Sequence, residues 1–297
     1  MVENEKPYGP YSEEFAEAVA DLYGEEWVQD QIARTEDPRY LPERLGGLLA
    51  SALDVRGLNV LDYGCGPAAS SVVIAKLGAN VTGVDPDAKS VKVAVLRIRD
   101  LGMQDNLHVQ HVPDTRKLPF GDKVFDVVVC NGTIEHIRIS ERQECVREMW
   151  RVLKTGGHLF ICNSPNSWWP IDSHTTHLPL VPYMPLSLAR RFAIMLGKAK
   201  PEQTVQDLLE YGIRGASHVQ IVRWIRPGRL KVVRISGEVD RIFKASMNYK
   251  FDTPKRRIAK RVVRPIIAAL DHLVLRPLHM PTCVITPYLA ICLQKLD

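Results

Sequence analysis

The 297-residue sequence contains no Cys-x-x-Cys pair, no internal repeat and no low-complexity tract. Its six cysteines are scattered, and Cys65, Cys130 and Cys162 fall in or beside apolar runs typical of buried strands. We therefore interpret the cysteines as reduced, small hydrophobic residues, which argues against disulfides and a structural zinc site. The acidic residues 1–5 lack the cationic and then apolar pattern of a secretory signal, so we expect a cytoplasmic protein.

Long apolar runs are also missing. The stretch 266–293 is interrupted by Asp271, Arg276 and several prolines, whereas a membrane-spanning helix needs about 20 mostly apolar residues. The sequence therefore argues against a transmembrane segment. A chain of 297 residues with 45% hydrophobic composition can bury one α/β core and a cap, without requiring two independent domains.

The positive charge is concentrated in one part of the chain. Residues 223–276 contain fifteen basic and four acidic residues, a net of +11, which leaves −6 for the rest because the total is +5. Within this region, residues 255–264 predict a basic helix with Ile258, Val262 and Val263 on one face. One interpretation is a peripheral contact with an anionic membrane, on its inner face. The alternatives are a solvated face that covers the core and, less favoured, a nucleic-acid contact.

A strand, a glycine-rich turn and a helix follow one another from residue 59 onward. The apolar residues before Asp62 predict a buried parallel strand, and Gly64 and Gly66 allow a sharp turn with its backbone close to a ligand. Pro67 suits the first turn of a helix. A second strand is predicted to end at Asp85, about 20 residues beyond the glycines, where a carboxylate can accept both ribose hydroxyls.

Details of the turn separate two classes of nucleotide cofactor. Pro67 removes a backbone N–H donor that the pyrophosphate of a dinucleotide would use. Asp62 places a negative charge beside the turn, which would repel a diphosphate and attract an ammonium group. The run "VLDYGCGP" resembles motif I of the class I S-adenosylmethionine-dependent methyltransferases, and "VTGVDPD" resembles the motif that follows it. A nicotinamide-dependent oxidoreductase is the rival enzyme class, but no Tyr-x-x-x-Lys dyad supports it.

The resemblance continues over about residues 55–165 and is closest to methyltransferases of type 11, including those of ubiquinone biosynthesis. "PDTRKLPF" is similar to the family's adenine loop, and "IEHI" and "RVLKTGGHLFI" are similar to later family segments. The resemblance implies S-adenosylmethionine as cofactor. It places Asp62, Gly64, Cys65 and Gly66 at the methionine end of the cofactor and Asp85 with Pro86 at the ribose. It places Asp114 and Thr115 near the adenine, and Asn131 and Gly132 below the methionine.

The fold implied is an α/β, doubly wound, mostly parallel seven-stranded Rossmann-like sheet with helical lid insertions. Residues 230–235 and 288–293 are predicted to be the last two strands. The residues from Ser140 to Gln143 predict a capping box at the start of a helix that runs to about Leu153. Gly156-Gly157 is predicted to break this helix, and a strand is predicted over 158–163. The expected division is a helical cap (1–54), a cofactor-binding core (55–165), an acceptor-binding lid (166–218) and C-terminal core strands (219–297) with a basic insertion at about 240–287.

The function implied is methyl transfer to a small-molecule or lipid-like acceptor, with O-methylation preferred. His136, His174 and His177 are candidates for the base that removes the acceptor's proton. Glu135-His136 resembles a metal-contacting pair of some ubiquinone-biosynthesis O-methyltransferases, but Gly132 stands where a further carboxylate is expected, so no metal is predicted. A non-catalytic cofactor-binding partner protein is the alternative. Base methylation is disfavoured because residues 131–134 lack a polar-Pro-Pro-aromatic run.

Overall fold

A computed structural model describes residues 8–235, 254–278 and 280–297, and side chains in the second range only from residue 261. The seven strands of one sheet are β1 (Asn59–Tyr63), β2 (Asn80–Asp85), β3 (Leu107–His111), β4 (Phe125–Asn131), β5 (Leu153–Pro165), β6 (Leu230–Val232) and β7 (Tyr288–Lys295). The helices are α1 (Glu13–Tyr23), α2 (Val28–Glu36), α3 (Gly47–Ala52), α4 (Ala69–Lys76), α5 (Ala88–Asp100), α6 (Arg142–Val152), α7 (Leu186–Met195), α8 (Val205–Glu210), α9 (His218–Ile225) and α10 (Pro254–Leu270).

The strand order is β3-β2-β1-β4-β5-β7-β6, which confirms the predicted doubly wound sheet. Strands β1 to β5 pair in parallel, and β7 runs antiparallel to both of its neighbours. Because the chain proceeds outward from β1 in one direction and from β4 in the other, right-handed crossovers bring α4 and α5 to one face and α6 to the other. The order reverses between β1 and β4, and a crevice opens at their carboxyl ends.

The helix before β5 differs from its prediction. It begins at Arg142 after an N-cap residue, Glu141, that makes no side-chain cap hydrogen bond, so the predicted capping box is wrong. Glu141 instead lies 3.7 Å from both Arg116 and Arg138. β5 begins at residue 153 and contains Gly157, so the predicted breaker lies within the strand. A side chain does not fit at position 157, because a Cβ there would lie 2.8 Å from the carbonyl oxygen of Asp126.

The N-terminal helices are joined to the core by Arg97 of α5, whose side chain is fully buried. Its Nε donates a hydrogen bond to the carbonyl of Pro67 at 2.7 Å, and its Nη1 donates to the carbonyl of Gln31 at 3.0 Å. Its guanidinium carbon lies 4.9 Å from the centre of the Phe15 ring. One side chain thus links α1, α2 and α5 to the glycine-rich turn after β1.

The predicted lid contains α7 and α8 and packs around its own apolar cluster. The members of this cluster are Leu178, Val181, Ala189, Ala193, Leu208 and Ile213. Asn166 connects the start of the lid to the segment before β7, because its Nδ2 donates to the carbonyls of Cys283, Val284 and Thr286 at 2.9–3.1 Å. The boundaries at residues 54, 165 and 218 remain predictions.

The C-terminal basic region is only partly described. Residues 236–253, which include the first part of the predicted insertion, lie outside the described residues, as do the side chains of 254–260. The predicted helix over 255–264 falls within α10, and a π-helical turn continues it over Asp271–Leu275. Among the residues that the structure describes, no helix is both long enough and apolar enough to cross a bilayer.

We expect Arg97→Met to lower the free energy of unfolding by about 2–5 kcal/mol, because it leaves buried carbonyl acceptors without their donor. Urea unfolding followed by circular dichroism measures the change. Arg99→Met is the matched control on the same helix, since Arg99 makes exposed ion pairs with Glu14 and Asp100 that contribute about 0–1 kcal/mol. Equal stabilities of the two variants would contradict the linking role of Arg97.

We expect Asp62 to make the free energy of unfolding depend on pH. Its burial in β1 raises the pKa of the carboxyl to about 7, although the hydrogen bond from Ser71 opposes this shift. The folded protein therefore holds this proton where the unfolded chain releases it, and stability falls as the pH rises from about 4 to 7. Asp62→Asn should flatten this part of the plot of unfolding free energy against pH. An unchanged slope would show that Asp62 ionises normally in the folded protein.

Candidate active site

A cavity of about 1690 Å³ lies at the carboxyl ends of the central strands. It is lined by twelve of the thirteen residues that the sequence predicts for the cofactor and the chemistry. These are Gly64, Cys65, Gly66, Asp85, Pro86, Asp114, Thr115, Asn131, Gly132, His136, His174 and His177. Asp62 does not line it. The structure therefore brings residues from two predicted segments, the core and the lid, to one place, and their roles toward a ligand remain predictions.

The turn after β1 requires glycine for two reasons. Gly64 and Gly66 have φ angles of +73° and +50°, which side chains rarely adopt. A Cβ on Gly64 would also lie only 2.2 Å from Cγ2 of Thr133, which follows β4. The turn can therefore pack against the end of β4 only without a side chain at this position. Pro67 lies before the helix rather than in its first turn, since α4 begins at Ala69.

Asp85 at the end of β2 faces the cavity while supporting the turn. Its carboxylate accepts hydrogen bonds from the backbone N–H of Gly66 at 2.8 Å and of Asp87 at 2.9 Å. Burial raises the pKa of Asp85, and the two backbone donors oppose the shift. A carboxylate oxygen has more than one lone pair, so these bonds leave acceptor capacity for ligand hydroxyls.

Asp62 lies beneath the turn instead of in it. It is 1% exposed, and its Oδ2 accepts a hydrogen bond from Ser71 of α4 at 2.6 Å. The side chain therefore joins β1 to the helix that follows the turn. Any effect on a ligand ammonium acts through its charge rather than through a contact with the cavity.

The other predicted cofactor residues lie after β3 and at the end of β4. Asp114 is exposed, and its carboxylate accepts a hydrogen bond from Nε of Arg116 at 2.8 Å, which lowers the pKa of Asp114. The carbonyl of Thr115 accepts from the hydroxyl of Tyr63 at 3.0 Å. At the end of β4, Asn131 accepts from Nδ2 of Asn163 at 2.6 Å and donates to Ser70 at 2.9 Å, which holds its amide in one orientation.

Glu135 is a site residue that sequence analysis did not place among the groups that carry out chemistry. It lines the cavity, its side chain is 1% exposed, and neither of its carboxylate oxygens has a hydrogen-bond partner among the described residues. A buried carboxylate without a partner is costly, so such a group calls for a functional explanation. The sequence signals for it were its place in the "IEHI" segment and the resemblance of Glu135-His136 to a metal-contacting pair.

Two histidines surround Glu135. Donor atoms of Glu135, His136 and His174 all lie within 4.8 Å of one another. Nδ1 of His136 lies 2.8 Å from the carbonyl oxygen of Glu210, which can only accept, so Nδ1 carries a proton. Burial lowers the pKa of His174, with Glu135 opposing the shift, so His174 is neutral near pH 7. His177 lines the same cavity outside this cluster.

The cluster does not fit magnesium. That ion requires a near-octahedral set of oxygen ligands, and Glu135 is the only carboxylate of the three residues. Two histidines and one glutamate are a donor set that zinc accepts. The sequence-based expectation that the site holds no metal stays a prediction.

Aromatic side chains from three parts of the chain contribute to the wall. Tyr23 and Trp27 from the N-terminal cap line the cavity. From the lid, Trp169 lines the cavity and Trp168 does not. Tyr288 at the start of β7 also faces the cavity, and its hydroxyl donates to the carbonyl of Ser173 at 2.6 Å.

Comparison with known proteins identifies the core. Residues 61–161 match the family described as methyltransferase domain, type 11. A ubiquinone biosynthesis O-methyltransferase of Xanthomonas oryzae pv. oryzae is 37% identical over 113 residues, 38% of this chain and 46% of that protein. The protein of the same name from Cronobacter sakazakii is 36% identical over 121 residues, 41% of this chain and 45% of that protein.

A crystal structure of a SAM-dependent methyltransferase from Methanosarcina mazei shares 25% identity with a TM-score of 0.36, over 42% of this chain and 58% of that chain. The chain spans less than half the length of the two curated relatives. The family match lies within the core, outside the lid, the N-terminal cap and the C-terminal segment. On the strength of this match, the chain contains a class I, S-adenosylmethionine-dependent methyltransferase domain of type 11.

Proposed function

We propose that this protein transfers the methyl group of S-adenosylmethionine to a hydroxyl oxygen of a small-molecule or lipid-like acceptor. The observation that carries the proposal is a single cavity that contains the proposed ribose ligand Asp85 together with the unpartnered Glu135 and its neighbour His174. Cofactor and acceptor could therefore meet in one space. The proposed cofactor contacts are the predicted set, with Asp62 acting from beneath the turn.

The proposed acceptor is a phenol or similar hydroxyl compound with an apolar part. The aromatic wall suits a flat or amphipathic molecule, since aromatic side chains offer large apolar contact surfaces. The relatives from Xanthomonas oryzae and Cronobacter sakazakii are named for ubiquinone biosynthesis and O-methylation. That description is consistent with an acceptor that combines a phenolic ring and a lipid tail.

In the proposed mechanism, the acceptor oxygen attacks the methyl carbon in line with the sulfur–carbon bond. The carbon–oxygen bond forms as the sulfur–carbon bond breaks, and S-adenosylhomocysteine leaves. The acceptor proton passes to the neutral imidazole of His174, and the carboxylate of Glu135 stabilises the resulting imidazolium. Positioning lowers much of the barrier, and the base adds about 10²- to 10⁴-fold.

Asp85→Asn should weaken binding of S-adenosylmethionine about 10- to 100-fold, because it removes the charge from hydrogen bonds to the ribose. Calorimetric titration with S-adenosylmethionine, S-adenosylhomocysteine and NADH measures this. Asp105→Asn, at an exposed position outside the cavity, is the control for the loss of one negative charge. Unchanged affinity in the Asp85 variant would remove it as the ribose ligand, and binding of NADH alone would favour the oxidoreductase.

Glu135→Gln and His174→Gln should each lower turnover at least about 10²-fold while leaving cofactor affinity unchanged, because both changes disable proton removal without altering the cofactor end. The assay follows S-adenosylhomocysteine release with a panel of phenols and prenylated quinone precursors. His177→Gln is the matched control, a histidine of the same cavity outside the cluster.

Full turnover in the His174 variant would exclude it as the base. A loss of wild-type turnover after EDTA treatment, restored by zinc, would contradict proton transfer to His174 and assign the cluster to a metal. Cofactor binding with no release of S-adenosylhomocysteine from any acceptor would favour the non-catalytic partner.

A further inference from the structure

The segment formed by α10 and the π-helical turn after it presents an apolar surface to solvent. Six apolar side chains recur at intervals of three to four residues for most of its length, which places them on one side of the helix. Leu273 and Leu278 expose 71% and 61% of their surface. We call this set the outer stripe, and its members are Val262, Ile266, Leu270, Leu273, Val274 and Leu278.

The opposite side of the same segment is already packed against the protein. Ile267, Asp271 and Leu275 recur every four residues and are buried. The Asp271 carboxylate accepts hydrogen bonds from Thr282 at 2.7 Å, from Arg276 at 3.0 Å and from Arg234 at 2.5 Å. Burial alone would raise the pKa of Asp271, but these donors outweigh it and hold the pKa low. The outer stripe therefore lies on a segment whose inner side is anchored.

The segment is strongly basic. Residues 254–278 contain seven basic residues and one acidic residue, Asp271, which is buried. Arg261, Arg264 and Arg276 of the same segment are exposed, and Arg276 pairs with Asp271. A helix on a solvated surface normally turns polar residues outward, whereas this one turns outward leucine, isoleucine and valine flanked by arginine.

We propose that the outer stripe binds the surface of an anionic phospholipid bilayer. Apolar side chains on one side of a helix enter the boundary between headgroups and acyl chains, and flanking basic residues each gain about 1 kcal/mol near anionic headgroups. The stripe contains no aromatic residue on which a nucleic-acid base could stack. The proposal goes beyond methyl transfer and is independent of the acceptor's identity.

The outer stripe is also connected to the wall of the cavity. Pro287 and Tyr288, which line the cavity, follow Leu278 by nine and ten residues. Thr282 in the intervening segment bonds Asp271 of the helical segment, and the next residue's carbonyl accepts a bond from Asn166 of the lid. A bilayer bound at the outer stripe would therefore contact an element that leads directly into the proposed acceptor site.

The test is flotation of the full-length protein with vesicles of phosphatidylcholine, with and without 30% phosphatidylglycerol. We expect the wild type to float with the anionic vesicles only. Leu273→Ser/Leu278→Ser should weaken this binding about tenfold or more, because each leucine loses apolar burial in the bilayer. The matched control is Val95→Ser/Val219→Ser, which removes exposed valines from α5 and α9.

Three results would overturn the proposal. The first is a wild-type protein that does not bind the anionic vesicles, and the second is binding that the stripe variant retains in full. The third is a wild-type dimer, measured by light scattering, that the stripe variant converts to a monomer without vesicle binding by either protein. The affinity for S-adenosylmethionine, measured by calorimetry, should be equal in the wild type and the stripe variant. Loss of vesicle binding can then be distinguished from loss of the methyltransferase site.

Discussion

The turn between β1 and α4 is held from three sides, and the geometry of the cavity depends on it. Gly64 lets Thr133 approach from the end of β4, the N–H of Gly66 bonds the carboxylate of Asp85, and the carbonyl of Pro67 accepts from buried Arg97. These contacts come from the central strand, the neighbouring strand and helix α5. The turn is thereby preorganised, so that a ligand in this crevice would meet a backbone whose conformational entropy has already been lost.

The cavity is lined both by the core and by added segments. Asp85, Asn131 and the glycine turn belong to the segment that matches the methyltransferase family. Trp27 and His174 come from the cap and the lid, outside that match. This division is physically reasonable because the crevice at the switch point is common to the sheet, whereas loops that cover it can change without disturbing strand pairing.

Glu135 of the core and His174 of the lid lie where these two parts of the protein meet. Gly212 of the lid packs between them, since a Cβ there would lie 2.9 Å from His174 and 3.0 Å from Glu135. A larger residue at Gly212 would separate the lid from the end of β4. The proposed proton-transfer pair therefore depends on close backbone packing as much as on the presence of a histidine and a carboxylate.

The elements with strong local signals were predictable, and those set by neighbours were not. The apolar runs on either side of the glycine-rich turn and its helix identified β1 and β2, and these strands are buried in the sheet. The Gly156-Gly157 pair predicts a helix breaker, but both glycines lie within β5, where the carbonyl of Asp126 leaves no room for a Cβ at position 157. The predicted capping box is wrong because α6 begins at Arg142 with Glu141, not Ser140, at the N-cap position.

The sequence by itself determined the class of domain and its doubly wound sheet, through the resemblance of its motifs to a known family, and its apolar runs and glycines located β1, β2 and the turn after β1. It also predicted twelve of the residues that line the cavity, since the carboxyl ends of parallel strands converge at one edge of the sheet. Only the tertiary structure decided that Asp62 lies beneath the turn, that Glu135 has no partner and that His174 lies beside it. Such facts depend on which distant segments share a buried volume, and no local pattern encodes that.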